Sequence, residues 1–219
     1  MRRSIAIAAG TIVMMLLSGS SMASAQEAPW EVRVRIVYLD PANNSDAYAP
    51  LGIPADAIHV SGRWLPDLDF EYFFTPHLSS ELLFTFPQSH TVTVQHSVLG
   101  GPVVIGSFKE LPPTLTLKYD FLPDGVFQPY LGAGVNLTFI SEVNLSVPTA
   151  GPVQLDRTSV GPALQAGFDF QLTDNMFLNA DLKWAMIRAD AKYQGATLTE
   201  VRLDPFLFGV GFGYRFGAD

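Results

Sequence analysis

The chain ends its patterned part with Phe206-Leu207-Phe208-Gly209-Val210-Gly211-Phe212-Gly213-Tyr214-Arg215-Phe216, and the alternation in it sets the class of structure. Phe206, Phe208, Val210, Phe212, Tyr214 and Phe216 share one parity, while Leu207, three glycines and Arg215 share the other. Successive side chains of an extended backbone point to opposite faces, so a period of two is the period of a strand. The outward face of a soluble sandwich is normally polar, whereas the bulky face here stays apolar and aromatic to its end. Such a face suits lipid, as on the strands of a transmembrane barrel.

The same pattern recurs upstream. Trp30, Val32, Val34, Ile36 and Tyr38 alternate with Glu31, Arg33 and Arg35, and Leu68, Phe70, Tyr72 and Phe74 alternate with Asp67, Asp69 and Glu71. Further strands are read at about 79–88, 107–121, 127–140, 159–171 and 176–187, giving roughly eight, an even number as single-chain bacterial barrels have. Short turns at Thr75-Pro76-His77, Leu122-Pro123-Asp124-Gly125 and Thr173-Asp174-Asn175 carry turn chemistry. They alternate with long loops near 40–65, 89–106, 141–158 and 188–203, the asymmetry of periplasmic turns and extracellular loops. The expected fold is all-β: an eight-stranded antiparallel transmembrane β-barrel. Aromatic rings favour the headgroup level, and the outward positions supply them: Trp30, Phe74, Phe121, Tyr214 and Phe216 on the periplasmic side, Tyr38 and Trp184 on the outer side.

Composition agrees with this class and removes others. Of the 219 residues 48% are hydrophobic and 16% charged, which excludes disorder. The absence of cysteine excludes a disulfide scaffold, thiolate metal sites and cysteine nucleophiles. A formal charge of -8 argues against a grip on nucleic acid. Met1-Arg2-Arg3, the apolar run from Ile5 to Leu17 and the small residues Ala23-Ser24-Ala25 read as a secretory signal peptide over residues 1–25. Its apolar run is well short of the roughly 20 residues a spanning helix needs. Residues 26–219 then form the barrel, and the expected destination is the bacterial outer membrane.

Several segments resemble a known family. Asp40-Pro41-Ala42-Asn43, Asp67-Leu68-Asp69-Phe70, Glu81-Leu82-Leu83, Gly106-Ser107-Phe108-Lys109-Glu110-Leu111-Pro112-Pro113-Thr114-Leu115, Pro129-Tyr130-Leu131-Gly132-Ala133-Gly134-Val135-Asn136 and Gly213-Tyr214-Arg215-Phe216 are similar to the OmpW family of outer-membrane proteins. The Leu-Pro-Pro-Thr-Leu and Pro-Tyr-x-Gly-Ala-Gly-x-Asn segments are the specific part, and the likeness covers nearly all of residues 26–219. It implies an eight-stranded barrel that helps small hydrophobic molecules cross the outer membrane, and for some members a surface receptor role. The chain departs from the usual barrel ending, since Gly217-Ala218-Asp219 follow Phe216, the kind of residue that the barrel assembly machinery reads.

An eight-stranded barrel is only wide enough for its own side chains. On the inward parity of the periplasmic half lie Glu31, Arg33, Asp69, Glu71, Lys118, Asp120, Asp169, Asp181, Lys183 and Arg215, mixed charges expected to pair and plug the lumen. Nearer the outside, Val37, Leu39, Leu83 and Leu207 fall on the same parity and predict an apolar lumen lining. Gly132, Gly134, Gly209, Gly211 and Gly213 remove side-chain volume there, either opening a cavity or relieving curvature. A solute entering above a plug must leave sideways. Pro87, Pro112 and Pro113, toward the outer ends of two neighbouring strands, mark a lateral exit or simply the end of the ladder, because proline donates no backbone hydrogen bond.

The expected function is passage of small hydrophobic molecules across the outer membrane, with lateral exit into the bilayer. The alternative is a structural or adhesive barrel acting as a receptor through its loops. Loop residues Asn43-Asn44-Ser45-Asp46 and Asp56 can meet divalent ions among lipopolysaccharide heads or stay solvated. A soluble lipocalin-like binder would stay free in the periplasm. No enzyme is expected: His59, His77, His90 and His96 join no nucleophile motif, and His90 and His96, six apart, are a weak metal pair. No cofactor is expected. The partners implied are outer-membrane lipid and lipopolysaccharide, small hydrophobic solutes and the barrel assembly machinery.

Overall fold

A strand that shows lipid one face must still pair every backbone N–H and C=O, and only a closed sheet does this without an edge. The computed structural model describes residues 29–49, 52–96, 100–147 and 151–217; the segment read as a signal peptide and Ala218-Asp219 lie outside them. The strands are β1 Trp30–Asp40, β2 Asn44–Ser45, β3 Ile58–Val60, β4 Arg63–Thr75, β5 Leu78–Thr85, β6 Gln88–Val94, β7 Val103–Leu111 and β8 Thr114–Asp120. They continue with β9 Phe127–Val147, β10 Gly151–Leu155, β11 Thr158–Gln171, β12 Met176–Ala185, β13 Arg188–Tyr193, β14 Ala196–Arg202 and β15 Phe206–Phe216.

Eight of them close an antiparallel ring in the order β1-β4-β5-β8-β9-β11-β12-β15. The seam between first and last strand runs unbroken from Trp30↔Phe216 to Asp40↔Phe206, with Arg33 opposite Gly213 and Arg35 opposite Gly211. Facing follows the alternation: Ile36 is 61% exposed and Phe208 50%, while Arg33 is 0%. The aromatics gather at both rims, Trp30 against Tyr72 at 4.7 Å at one and Tyr38 against Trp64 at 5.1 Å at the other. The short turns are held by their own side chains and backbone. Thr75 Oγ1 accepts from the Leu78 N–H at 3.0 Å, Thr173 Oγ1 from the Met176 N–H at 3.1 Å, and the Leu122 carbonyl from the Gly125 N–H at 3.1 Å.

The long loops are the main correction. Segments 40–65, 89–106, 141–158 and 188–203 hold β2, β3, most of β6, part of β7, the upper part of β9, β10, β13 and β14. β9 alone has 21 residues, whereas a tilted spanning strand needs about 9–11. The wall therefore rises well beyond the apolar belt. There the pattern inverts: Ser89, Thr91 and Glu142 are exposed, while Val92, Leu145, Val153 and Ala189 are buried. The inversion in β9 passes through Glu142, at φ 47°, where a register shift opposite Ser107 and Lys109 moves the inward parity from Ile140 to Leu145. Gly106, at φ 136°, stands at the same level; a Cβ there would strike the Asn144 carbonyl. The two strands read at 79–88 and 107–121 are also interrupted, one at Phe86-Pro87 and the other at Pro112-Pro113.

Candidate functional site

The lower lumen is filled by paired charges. Arg33 reaches Glu31 at 2.8 Å, Asp169 at 2.8 Å and Glu81 at 3.1 Å, and also touches Glu71. Arg35 pairs with Asp67 at 3.2 Å, Asp181 at 3.4 Å and Asp69, and Arg215 caps Glu31 at 2.9 Å. Glu81 gathers Lys183 at 2.6 Å, Arg33 and Lys118 at 3.6 Å. All ten charged residues read as inward do line this space, apart from a partial exposure at Arg215. Sequence reasoning missed Glu81, although it shares the parity of Ser79 and Leu83. It also missed the neutral ties, Tyr130 to Asp181 at 2.9 Å and Gln165 to Glu81 at 3.0 Å. Above the charges lies a neutral polar layer, where Asn136 donates to Thr114 Oγ1 at 2.8 Å and accepts from Thr138 Oγ1 at 2.7 Å.

The five lumen glycines open no void. A Cβ at Gly132 would meet Lys118 Cγ at 3.2 Å and Gln165 at 3.3 Å, and one at Gly209 would meet Val37 at 3.2 Å and Arg35 at 3.5 Å. At Gly134 and Gly211 it would strike the backbone carbonyls of Leu115 and Val34, and at Gly213 the carboxylate of Glu31. Their missing volume is occupied by the long cations and by closely approaching neighbour strands. The glycines make room for the plug.

Of the expected apolar lining, Val37, Leu39 and Leu207 come together with Leu65, while Leu83 is buried but lies outside that cluster. None of the four lines the barrel's apolar cavity. That cavity is higher, inside the extended wall, and its lining is apolar apart from Thr199 and the hydroxyl-bearing Tyr48: Ile58 and Val60 from β3, Val92 from β6, Phe108 from β7, Leu145 from β9 and Val201 from β14 are typical. Its free volume is about 50 Å³. An apolar void that accepts benzene is about 150 Å³, so a solute of that size enters only as side chains give way. The signal in the sequence was the inverted alternation of Val143, Leu145, Val153 and Leu155, and of Ala189, Ala191, Val201 and Leu203.

Level with the floor of this cavity the wall is interrupted. The β5–β8 ladder stops at Leu83↔Thr114, and the β6–β7 ladder above it starts at Gln88↔Glu110. Between them Phe84–Pro87 face only Leu111–Pro113, so Pro87 and both prolines of the other strand meet at one seam. The other side of Phe86-Pro87 is interrupted as well. The β4–β5 ladder ends at Asp67↔Thr85, and pairing resumes with the Ser61 N–H on the Thr91 carbonyl at 3.0 Å and Val60↔Val92. Pro66 lies in that gap and was not singled out from sequence. Phe86, between the two interruptions, is 73% exposed. Pro112 and Pro113 stay fastened to the neighbouring side: the Pro113 carbonyl accepts from the Leu137 N–H at 3.0 Å, and that of Pro112 from Asn136 Nδ2 at 3.4 Å.

Just above the seam, beyond the apolar belt, His90 is buried between two acceptors. Its Nδ1 lies 2.8 Å from the Ser61 carbonyl, its Nε2 is 3.2 Å from Glu110 Oε1, and its ring stacks on Phe108 with centroids 5.6 Å apart. Nε2 and Glu110 Oε1 face each other, whereas Glu110 Oε2 and Gln88 Oε1 have no hydrogen-bond partner among the described residues. Each orphan of this kind costs about 1–3 kcal/mol. Burial disfavours the imidazolium, but the Glu110 carboxylate and the Ser61 carbonyl outweigh it against the opposing charge of Arg63, and the ring titrates above its ordinary 6.5. The contribution of this contact is therefore complete below the unfolded-state pKa and is lost as pH rises through the folded-state value. Amide exchange in β6 and β7, corrected for intrinsic rates, is expected to lose protection above that value in the wild type and to stay flat in His90→Gln. An equal loss in the variant would refute the role of His90.

His77 and the loop residues serve local structure. His77 Nδ1 lies 2.7 Å from the Asp120 carbonyl in a turn, and His96 is exposed beyond β6, so His90 and His96 form no pair. Asn43 Oδ1 accepts from the Val60 N–H at 2.7 Å, Asp56 Oδ1 from the Ser45 N–H at 3.0 Å, and Asp46 pairs with Arg202 at 2.8 Å.

Comparison with known proteins matches residues 30–216 to the OmpW family. Outer membrane protein W of Vibrio cholerae is 34% identical over 215 residues, covering 94% of this chain and 97% of that protein. The dibenzothiophene metabolism operon protein PahQ of Pseudomonas aeruginosa is 27% identical, covering 88% and 90%. The crystal structure of the outer membrane protein OprG from Pseudomonas aeruginosa superposes with a TM-score of 0.73 at 27% identity, over 89% of this chain and 99% of that one.

Proposed function

This chain belongs to the OmpW family, and from that premise we propose that it carries small hydrophobic molecules across the outer membrane. Solutes enter the apolar cavity from the outside and leave sideways into the bilayer through the seam at Pro87, Pro112 and Pro113. One observation carries this reading: an apolar cavity stands over a lumen packed with paired charges, and the wall is unpaired at the level between them. A solute in that cavity meets buried ions below and an unpaired wall beside it. Driving an apolar body through the ion pairs would strip charges of their partners at several kcal/mol each, so the sideways route is the easier one. Dibenzothiophene, in whose metabolism operon one relative is named, is an apolar aromatic compound, and an apolar lining suits that chemistry.

The test is the initial uptake rate of an apolar probe and of a small sugar, in cells lacking and then expressing the protein. Faster entry of the apolar probe alone is expected. Unchanged rates with folded protein in the outer membrane would refute transport, and faster sugar entry would refute the closed lumen.

A further inference from the structure

On the inward face of the β6–β7 hairpin the chemistry changes in one direction. Val92 and Phe108 line the cavity; His90, the register partner of Phe108, comes next, and the pair Gln88↔Glu110 follows at the edge of the seam. Glu110 also stands opposite Ile140, another cavity residue. A molecule passing from cavity to seam along this face meets three buried polar side chains: Gln88 is 5% exposed, His90 0% and Glu110 1%. Two acceptor atoms among them, Glu110 Oε2 and Gln88 Oε1, lack a partner among the described residues, while His90 Nε2 faces Glu110 Oε1 at 3.2 Å.

We propose that Gln88, His90 and Glu110 form a hydrogen-bonding subsite for the hydroxyl group of an otherwise apolar solute, an alcohol or a phenol. Two orphaned acceptors call for a donor. A hydroxyl donates once and still accepts, so it can donate to Glu110 Oε2 or Gln88 Oε1 while accepting a share of the His90 Nε2–H hydrogen bond that now faces Glu110 Oε1. His90 already faces Glu110 through Nε2, so an uncharged donor fits the remaining acceptors better than a cation. The ring of Phe108, stacked on His90, leaves the apolar body on the cavity side. The subsite rests on the transport reading only for its place on a route; its chemistry stands on the buried cluster.

The experiment titrates phenol, and separately benzene, into the purified full-length barrel in lipid nanodiscs, observing the Gln88 side-chain amide and the His90 ring by NMR. Phenol is expected to shift both sets of signals, and benzene to shift only cavity residues such as Ala189 and Ala191. Gln88→Leu should weaken phenol binding about tenfold and leave benzene unchanged, the loss of roughly one buried hydrogen bond. Identical responses to phenol and benzene in the wild type, a reading that needs no variant to fold, would overturn the subsite. So would an unchanged phenol affinity in folded Gln88→Leu, the outcome if water alone occupies the cluster. Phenol-specific shifts in a protein that accelerates no uptake would refute transport and uphold the subsite; apolar uptake without those shifts would do the reverse.

Discussion

The double variant Pro112→Val, Pro113→Val is expected to reduce protein-dependent uptake of an apolar probe to the level of cells without the protein. Each valine restores a backbone N–H and brings a side chain that favours extended structure. The β5–β8 ladder, which ends at Leu83↔Thr114, can then continue toward the β6–β7 ladder at Gln88↔Glu110. Each ladder bond gained contributes about 0.5–1.5 kcal/mol, so the sealed barrel should also resist unfolding at least as well as the wild type. The cavity lining and the plug are untouched, and a fall in uptake is thus attributable to the wall. Unchanged uptake, with equal amounts of folded protein, would mean that the prolines only end the strands.

Arg33→Met is expected to destabilise the folded barrel by about 3–5 kcal/mol, the usual loss when one partner of a buried ion pair is removed. Arg33 is fully buried and joins Glu31, Glu71, Glu81 and Asp169, from four different strands. Methionine keeps much of the volume and leaves these carboxylates short of one cation. Arg188→Ala on the extended wall is the control. Its pair with Asp204, at 3.1 Å, is 42% exposed on the arginine side, and exposed pairs contribute about 0–1 kcal/mol. Urea unfolding of both variants in lipid vesicles gives the comparison. A loss at Arg33 no larger than at Arg188 would contradict the view of the plug as a tightly coupled charge network.

The barrel and the plug were legible because both follow from a period of two. Arg33, Asp69, Glu71, Lys118 and Lys183 share the face opposite the aromatics, and lipid outside leaves charged side chains no other direction. The extended wall was hidden by the same rule applied too widely. Above the membrane the outward face is polar, so 141–158 and 188–203 lack the aromatic alternation and resemble loops until Leu145, Val153, Ala189 and Val201 are counted on the opposite parity. The parity change at Glu142 depends on a left-handed backbone turn that residue type alone does not announce. Pro87, Pro112 and Pro113 could be marked as ladder breakers, but their meeting at one seam, with Pro66 across Phe86, is a matter of register. Of the two readings of the lumen glycines the open cavity falls, since an absent side chain becomes a void only if no neighbour fills it, and Arg35, Lys118 and Gln165 do.

Lateral exit is tested most directly at Phe86. A photoreactive phenylalanine analogue replaces Phe86 in one protein and Phe212 in another; both positions face lipid, and Phe212 is on β15, three strands from β5 around the ring. Cells taking up a labelled apolar probe are illuminated during the first seconds of uptake, before the bilayer equilibrates. The account predicts label concentrated at position 86, and loss of that excess in the Pro112→Val, Pro113→Val background. Equal labelling at positions 86 and 212 would contradict it.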